Sequence, residues 1–458
     1  MHERAGENCG VFGIYGTDAY TTAHLIYTGL YTLQHRGQES AGIAVSNNHE
    51  VTAFRKLGFV RDVFSEDILS LLRGKIGIGH VRYSTTGSSD NANAQPLASE
   101  RMPLAIAHNG NVSNYPSLLS RFSEQGFSPK TTTDTEIILH MIEREMFSSS
   151  VRISLEAAVA AVMEQLRGAY SVVMVSASEL IAFRDPAGMR PLCIGKLGDA
   201  WVVSSETCAL DTVGAEYLRD VMPGEIVVID KDGLRSVRTH CKKPGNLCVF
   251  EFVYTARADS VIDGQSVYES RREAGRILAR VKPVDADIVI GVPESGIDAS
   301  RGYSQESGIP LGRGLVINRY VGRTFIIPGQ QGRENAVNMK LNAIRAEISG
   351  KRIVIVDDSI IRGTTLRKTI QPFKQAGARE IHLRIASPPF LWPCYFGTDV
   401  PDRERLIAAN RTTEDICAEL GIDSLEYLPA QELGHIVPDL RCGFCDACFT
   451  GNYPVDLT

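Results

Sequence analysis

The sequence lacks the long apolar runs and the basic excess that mark membrane and nucleic-acid-binding proteins. None of its 458 residues falls in a run near the ~20 apolar residues of a membrane span, and the first residues, MHERAGEN, lack the apolar core of a secretory signal. Lys and Arg total 48 against 54 Asp and Glu, so the net charge of -6 gives no general attraction to nucleic acid or anionic membrane. These absences predict a cytoplasmic protein, in which ten cysteines indicate metal binding or catalysis rather than disulfides.

The chain is too long for one core, and its hydrophobic pattern divides it into two halves. The first half alternates short β-like segments with helix-like stretches, which predicts layered sheet with helices outside. The polar, basic stretch at residues 237–246 (VRTHCKKPGN) is typical of a domain junction. In the second half, continuous apolar strands at residues 288–290, 353–356 and 381–385 each run into a loop. This rhythm predicts a doubly wound parallel sheet with its ligand at the carboxyl ends of the strands.

The segment RIVIVDDSIIRGTT, at residues 352–365, is the most specific signal in the second half. Its buried strand delivers Asp357 and Asp358 to the strand end, where paired carboxylates bind ribose hydroxyls or Mg²⁺. The Arg-Gly-Thr-Thr that follows lies where a helix begins, a favourable place for a phosphate group. The alternative is that Asp-Asp-Ser only caps the helix.

This segment resembles the phosphoribosyl diphosphate (PRPP) motif of type I phosphoribosyltransferases. The resemblance implies a PRPP-binding set made of Asp357, Asp358, Ser359, Arg362, Gly363, Thr364, Thr365 and Lys340. It also implies that the loop VPESG, at residues 292–296, contacts the pyrophosphate and that Ser295 joins Asp357 and Asp358 at Mg²⁺.

Residues 318–342 form a long Arg- and Gly-containing segment with little periodicity. Its length is unusual for a passive connection, which predicts a lid over an anionic substrate; a plain solvated loop is the alternative.

Cys9 begins a β-like segment close to the start of the chain. An ordinary thiol, with a pKa of about 8.5, is only slightly ionised at neutral pH and needs a base to act as a nucleophile. If residues 1–8 were removed as a propeptide, the new α-amine of Cys9 would be such a base. A lone early cysteine is more often a core residue, so Cys9 alone does not decide the matter.

Four further segments accompany Cys9: LQHRGQESAGIAV at residues 33–45, GHVRYSTTG at 79–87, HNGNVSNY at 108–115 and TDTE at 133–136. Together they resemble the glutamine amidotransferase domain of the N-terminal-nucleophile (Ntn) hydrolase class. The resemblance implies a four-layer αββα domain over residues 9–238, ahead of the phosphoribosyltransferase domain over 239–458.

The same resemblance assigns roles in the glutamine site. Cys9 is the nucleophile, Arg82 pairs with the glutamine α-carboxylate and Asp134 binds its α-ammonium group. Asn109 and the backbone N–H of Gly110 form the oxyanion hole. Taken singly, Asn109-Gly110 is also an ordinary turn dipeptide, and Asp134 also suits a helix cap.

The fusion of these two domains is similar to the amidophosphoribosyltransferase family. That family implies synthesis of 5-phosphoribosylamine from glutamine and PRPP, the committed step of purine synthesis, with internal ammonia transfer, purine nucleotides as feedback inhibitors and a homotetramer. Two alternatives remain: a PRPP-sensing regulator that kept the fold, and an amidotransferase acting on another sugar phosphate.

Three cysteines near the end, Cys442, Cys445 and Cys448, stand at successive Cys-x-x-Cys spacings that suit iron–sulfur or zinc. Cys248 and Cys394 are upstream candidates for the same centre. The family resemblance implies a [4Fe–4S] cluster on Cys248, Cys394, Cys445 and Cys448, with Cys442 spare. Zinc is the alternative metal.

Overall fold

The computed structural model describes residues 9–83, 90–148, 153–241, 244–317, 341–400 and 402–456. The proposed propeptide, Lys340 and residues 318–339 of the predicted lid lie outside these ranges. The side chains of Thr364 and Thr365 also lie outside the described part. No helix in the described ranges has the length and apolar character needed to cross a membrane.

The first half contains thirteen described strands. They are β1 (Gly10–Tyr15), β2 (Ser40–Ser46), β3 (Val51–Leu57), β4 (Ile76–Arg82), β5 (Leu97–Ala98), β6 (Leu104–Val112), β7 (Gly168–Ser176), β8 (Leu180–Arg184), β9 (Cys193–Leu197), β10 (Ala200–Ser204), β11 (Glu216–Asp220), β12 (Ile226–Asp230) and β13 (Gly233–Val237). The helices between them are α1 (Thr22–Thr32), α2 (Val60–Val63), α3 (Glu66–Leu71), α4 (Tyr115–Ser123), α5 (Asp134–Ser148), α6 (Leu155–Met163) and α7 (Thr207–Val213).

These strands form two stacked antiparallel sheets with helices on both outer faces. One sheet has the order β11-β9-β10-β1-β4-β2-β3 and the other the order β13-β12-β8-β7-β6-β5. Small and branched side chains such as Ala44, Ala107 and Val173 fill the space between the sheets. Helices α1 and α7 cover the first sheet, and α4, α5 and α6 cover the second. The αββα expectation is confirmed.

The second half contains eleven described strands. They are β14 (Asn246–Cys248), β15 (Val261–Ile262), β16 (Gln265–Ser266), β17 (Ile288–Gly291), β18 (Leu311–Gly312), β19 (Leu315–Ile317), β20 (Leu341–Ala343), β21 (Arg352–Asp357), β22 (Glu380–Ile385), β23 (Ser424–Tyr427) and β24 (Gly443–Cys445). Its α-helices are α8 (Val267–Val281), α9 (Ile297–Ser307), α10 (Arg345–Ile348), α11 (Thr364–Gln375), α12 (Ile407–Asn410), α13 (Thr413–Leu420), α14 (Leu433–Ile436) and α15 (Ala447–Thr450).

Five of these strands form the predicted parallel sheet, in the order β18-β17-β21-β22-β23. Alternate residues of β21 point to opposite faces: Val354 and Val356 pack toward α8 and α9, while Ile353 and Ile355 pack toward α11 and α13. Helices on both faces explain why these strands read as continuous apolar runs.

Two elements outside the large sheets lie where the halves meet. Strand β14, the first after the junction, pairs in parallel with β24, so that Cys248 lies opposite Cys445. A π-helical turn, Glu251–Thr255, follows β14 and is almost wholly buried. The carboxyl end of the parallel sheet and the start of β1 carry the predicted site residues.

Candidate active sites

Cys9 lies just before β1, and the register of the first sheet sets its neighbours. Because Gly10 pairs with Val81, Cys9 stands beside Arg82 at the end of β4. The Cys9 thiol is buried and lies 3.5 Å from the Tyr83 carbonyl oxygen, to which it donates. Burial raises the pKa of the Cys9 thiol, and the charge of Asp134 raises it further. The contact with the Tyr83 carbonyl and the charge of Arg82 lower this pKa, but burial has the larger effect. The nucleophile candidate and both predicted glutamine-binding residues therefore share one electrostatic environment.

Asp134 starts helix α5 and lies behind the end of strand β6. Its carboxylate accepts the Val112 N–H at 2.8 Å and lies 3.4 Å from Nδ1 of His108. Burial alone would raise the pKa of Asp134, but the charge and hydrogen bond of His108 and the Val112 N–H lower it. His80 of β4 contacts the His108 carbonyl oxygen at 3.0 Å, which ties the two sheets together at this level. Asp134 is thus an ionised, buried carboxylate, as an ammonium-binding group requires.

Asn109 and Gly110 occupy consecutive positions on β6. The side chain of Asn109 is 1% exposed, and neither its oxygen nor its nitrogen has a hydrogen-bond partner among the described residues. Buried amides are rarely left unpaired, so this group is suited to a bound ligand. Gly110 has φ +145°, and a Cβ there would lie 2.0 Å from the Ala169 carbonyl oxygen, so only glycine fits.

A loop of the second half, Tyr395–Thr398, packs directly against this end of β6. The Asn111 side chain donates to the Tyr395 carbonyl oxygen at 2.8 Å. A Cβ at Gly397 would come within 3.0 Å of the Gly110 carbonyl carbon. The predicted glutamine site is therefore bounded on one side by the second half of the chain.

A buried group of charges, which we call the boundary network, joins the halves behind Cys9. It comprises Arg36, Glu206, Arg190 and Glu251. Arg36 donates from Nε to the Cys9 carbonyl oxygen at 3.0 Å and pairs with Glu206 and with both carboxylate oxygens of Glu251. Burial alone would lower the pKa of Arg36, but the charges of Glu251 and Glu206 raise it.

The sequence motifs did not single out the members of the boundary network. Arg36 lies within the motif LQHRGQESAGIAV, but Arg190, Glu206 and Glu251 lie outside the motifs described above. Glu251 is one carboxylate in the otherwise apolar run CVFEFVY. A lone charge in a buried stretch is rarely tolerated without a partner, and that is the signal that would have found it.

The second site lies at the carboxyl ends of β17 and β21. Asp357 closes β21 and Asp358 follows it; both are buried. Asp358 accepts the Ser295 hydroxyl at 2.5 Å and the Ser359 hydroxyl at 2.7 Å. The loop carrying Ser295 is fixed by the Val292 N–H, which donates to the Val356 carbonyl oxygen at 2.8 Å. Two loops distant in sequence thus place hard oxygen ligands side by side, which suits Mg²⁺.

The predicted phosphate-binding end of this site lies at the start of α11. Gly363 precedes the helix with φ +80°, and a Cβ there would meet Ile407 at 2.5 Å. Arg362 is half-buried and lies 3.8 Å from Asp399. The structure therefore brings Ser295, Asp357, Asp358 and Ser359 together, with Arg362 and Gly363 on the same loop.

Four cysteines line one cavity at the boundary: Cys248, Cys394, Cys445 and Cys448. The other walls include Met189, Phe250, Phe396 and Ala447. Burial raises the pKa of Cys248 to about 11 and also raises those of Cys445 and Cys448.

Cys442 does not line this cavity; its thiol instead faces Asp263 at 3.7 Å. Among the described residues, no group of three or more His, Cys, Asp or Glu side chains is arranged to hold a metal ion. The four thiols share a cavity, but they do not form a ready-made single-ion site.

Comparisons with known proteins match both halves of the chain. A model of a glutamine amidotransferase domain matches residues 80–212, and one of a phosphoribosyl transferase domain matches residues 268–386. The amidophosphoribosyltransferase of Archaeoglobus fulgidus is 46% identical over 453 residues, covering 98% of each chain. That of Bacillus subtilis is 44% identical over 458 residues, covering 98% of this chain and 95% of the relative.

Two solved structures resemble the whole molecule. One is glutamine phosphoribosylpyrophosphate (PRPP) amidotransferase from B. subtilis complexed with ADP and GMP, with a TM-score of 0.90, 43% identity and 98% coverage of both chains. The other, described as the allosteric regulatory enzyme of purine biosynthesis, has a TM-score of 0.91 and 44% identity, covering 98% of this chain and 97% of that one.

Proposed function

The chain belongs to the amidophosphoribosyltransferase family, and from that premise we propose which residues carry its two half-reactions. The enzyme makes 5-phosphoribosylamine, glutamate and pyrophosphate from glutamine, PRPP and water. The observation that carries the residue assignment is that one chain contains two candidate sites, one for each half-reaction. One combines the buried Cys9 thiol, which is under the charges of Arg82 and Asp134, with the unpartnered Asn109 amide; the other is a pair of carboxylates at the end of a parallel sheet.

In the glutamine site, Cys9 is the nucleophile. With residues 1–8 removed, its α-amine takes the thiol proton, and the sulfur attacks the glutamine amide carbon. Ammonia leaves, and water then hydrolyses the γ-glutamyl thioester to glutamate. Asn109 and the Gly110 N–H stabilise the oxyanion, which gives the unpartnered Asn109 amide its ligand. Arg82 and Asp134 hold the α-carboxylate and α-ammonium groups of the substrate.

In the PRPP site, the ammonia attacks C1 of the ribose and the C1–pyrophosphate bond breaks. We assign Asp357 and Asp358 to the ribose hydroxyls and residues 362–365 to the 5-phosphate. Their positions at the end of β21 and at the start of α11 support this assignment. Ser359 and Lys340 complete the proposed PRPP-binding set. Ser295, Asp357 and Asp358 would hold Mg²⁺, which supplies positive charge that stabilises the departing pyrophosphate.

The four cavity cysteines, Cys248, Cys394, Cys445 and Cys448, are the proposed ligands of a [4Fe–4S] cluster. All four thiols line one cavity, which supports a single centre with four sulfur ligands; zinc is the alternative metal. Soft sulfur donors and apolar walls fit such a group. Its proposed role is structural or oxygen-sensing rather than catalytic, because it would join the C-terminal cysteine segment to the junction and would lie on neither substrate motif.

Iron analysis tests this assignment with a matched pair of variants. Cys445→Ser is expected to lose iron and thermal stability together, because it removes one proposed ligand. Cys442→Ser changes the same atom on a thiol outside the cavity and is expected to keep its iron. Unchanged iron in Cys445→Ser would remove that residue from the ligand set.

Further properties are proposed from the family. The propeptide spans residues 1–8, the glutamine domain 9–238 and the PRPP domain 239–458. Purine nucleotides are feedback inhibitors, an assignment supported by the relative complexed with ADP and GMP. The protein is a cytoplasmic homotetramer.

The decisive experiment measures glutamate and pyrophosphate release by anaerobically purified protein given glutamine and Mg²⁺, with and without PRPP. Equal release of both products, only with PRPP, is the expected result. Glutamate without pyrophosphate would point to another acceptor. Release of neither product, by chains shown by mass spectrometry to begin at Cys9, would favour a PRPP-sensing regulator.

A further inference from the structure

A carboxylate from the second half stands directly behind the nucleophile of the first. Glu251 is fully buried, and both its oxygens accept from Arg36, at 2.9 Å from Nη2 and 3.0 Å from Nη1. The remaining nitrogen of that guanidinium, Nε, donates to the Cys9 carbonyl oxygen at 3.0 Å. We infer that Glu251 is a positioning residue for glutamine hydrolysis, acting on Cys9 through Arg36.

The planarity of the guanidinium makes this arrangement effective. A bidentate carboxylate fixes both Nη atoms, and the rigid plane then fixes the direction of Nε. Nε in turn holds the backbone of the residue that carries the attacking sulfur. With Glu251 gone, Arg36 keeps its contact with Glu206 and is free to tilt toward it, away from the Cys9 carbonyl.

Glu251 is itself held from the side of the PRPP site. It begins the π-helical turn Glu251–Thr255, and the buried Arg271 donates to carbonyl oxygens along and after that turn. The distances are 2.9 Å to Phe252, 3.0 Å to Tyr254 and 2.6 Å to Ala256. Arg271 also lines a small cavity with Ser295, beside the proposed magnesium ligands. The carboxylate therefore belongs to a turn whose backbone Arg271 holds through three hydrogen bonds.

The test uses Glu251→Gln, which keeps the shape of the side chain and removes its charge. Its matched control is Glu225→Gln. Glu225 is also fully buried and makes a bidentate ion pair with Arg219, in which each carboxylate oxygen lies 2.8 Å from one guanidinium nitrogen. Glu225 has no contact with Arg36 or Cys9. Rates are measured on mature enzyme with glutamine and, separately, with free ammonia as the nitrogen source.

The inference rests on the proposed role of Cys9, and the readouts separate the two. For Glu251→Gln we expect the glutamine-dependent kcat to fall about 10–100-fold, the range for small misplacement of a reacting group. The KM for glutamine and the ammonia-dependent rate should stay within twofold, because Arg82, Asp134 and the PRPP site are untouched. Covalent labelling of Cys9 by a diazoketone analogue of glutamine should slow by the same factor as kcat.

Several results would overturn the inference. One is a glutamine-dependent kcat of Glu251→Gln equal to that of Glu225→Gln, and another is a change confined to the KM for glutamine. A third is equal loss of the glutamine-dependent and ammonia-dependent rates, because a merely structural role predicts that loss. If Glu251→Gln does not fold, Glu251→Asp is tested instead, because it keeps the negative charge but shortens the side chain by one methylene. An unchanged glutamine-dependent kcat in Glu251→Asp would contradict the inference. Retained glutamine-dependent activity in Cys9→Ala would instead refute the proposed function.

Discussion

The two sites are built on different principles. In the proposed glutamine site, Cys9, Arg82, Asn109 and Asp134 are each at most 8% exposed, and each lies on or next to a regular element. In the proposed PRPP site, Asp357 and Asp358 are buried, but Ser295 and Arg362 are only half-buried and lie in loops.

The difference fits the substrates proposed for the two sites. Glutamine is small, and its hydrolysis requires exact placement of one thiol against one carbonyl, which strand register provides. PRPP is larger and highly charged, and loops at the end of a parallel sheet can wrap its phosphates and release the product. The first site is therefore built on buried regular elements, and the second largely on loops.

The largest expected effect separates the two sites completely. Cys9→Ala removes the nucleophile, and the glutamine-dependent rate should fall at least about 1,000-fold. The ammonia-dependent rate should be retained, because the carboxylates at the end of β21 are far from the change in the fold. Pyrophosphate release with each nitrogen source measures both. Parallel loss of the two rates would show that the sites are not independent.

Asn109→Ala tests whether the glutamine site stabilises an oxyanion. Removing one such donor costs about 100–1,000-fold in kcat, and KM for glutamine should change little. Asn111→Ala is the control on the same strand, since its amide binds the Tyr395 carbonyl oxygen. A similar loss of kcat in both variants would argue for a defect in β6 as a whole.

Asp358→Asn probes the loop-built site. It removes charge from the carboxylate that accepts the Ser295 hydroxyl, and we expect about a 100-fold loss of pyrophosphate release with either nitrogen source. Asp285→Asn, at the opposite end of the sheet, should be near wild type. If only the glutamine-dependent rate fell, Asp358 would belong functionally to the first site.

The smallest effect concerns the burial of Cys9. In chains that retain residues 1–8, burial raises the pKa of this thiol, so the thiolate fraction is reduced at every pH below that value. Alkylation of Cys9 by iodoacetamide, followed by mass spectrometry, should be slow at neutral pH and still increase past the ordinary thiol pKa of about 8.5. A free cysteine derivative is the control. A plateau for Cys9 below that of the control would show an activated thiol.

Much of this architecture was predictable because its signals are local. The two halves differ in the spacing of their apolar residues, so the sequence alone divides the chain. The apolar strand that ends in Asp357 and Asp358 likewise needs no knowledge of contacts to be recognised. The cysteines are a different case. Two identical Cys-x-x-Cys spacings do not distinguish Cys442 from Cys445, but the pairing of β14 with β24 places Cys445 opposite Cys248.

The boundary network depends on contacts that no local pattern encodes. Arg36 and Glu251 are separated by most of the first half, and only folding brings them together. Likewise, the approach of Gly397 to Gly110 depends on how the halves dock. Arg36 and Gly110 lie in segments that the sequence motifs single out, but their partners in the second half depend on the tertiary structure.

The parallel pair formed by β14 and β24 also sets an order for assembly during synthesis. A ribosome adds roughly 5–20 residues per second from the N-terminus, and domains generally fold as they emerge. All strands of the two stacked sheets precede residue 238, so this part of the core can close early. Strand β14 donates from the N–H groups of Asn246 and Cys248 to the Ala187 and Met189 carbonyl oxygens of the first half. Its other edge must wait for β24, the last of the described strands, before it is paired. Nascent chains should therefore acquire protease resistance in two steps, and the boundary between the halves should be completed in the second.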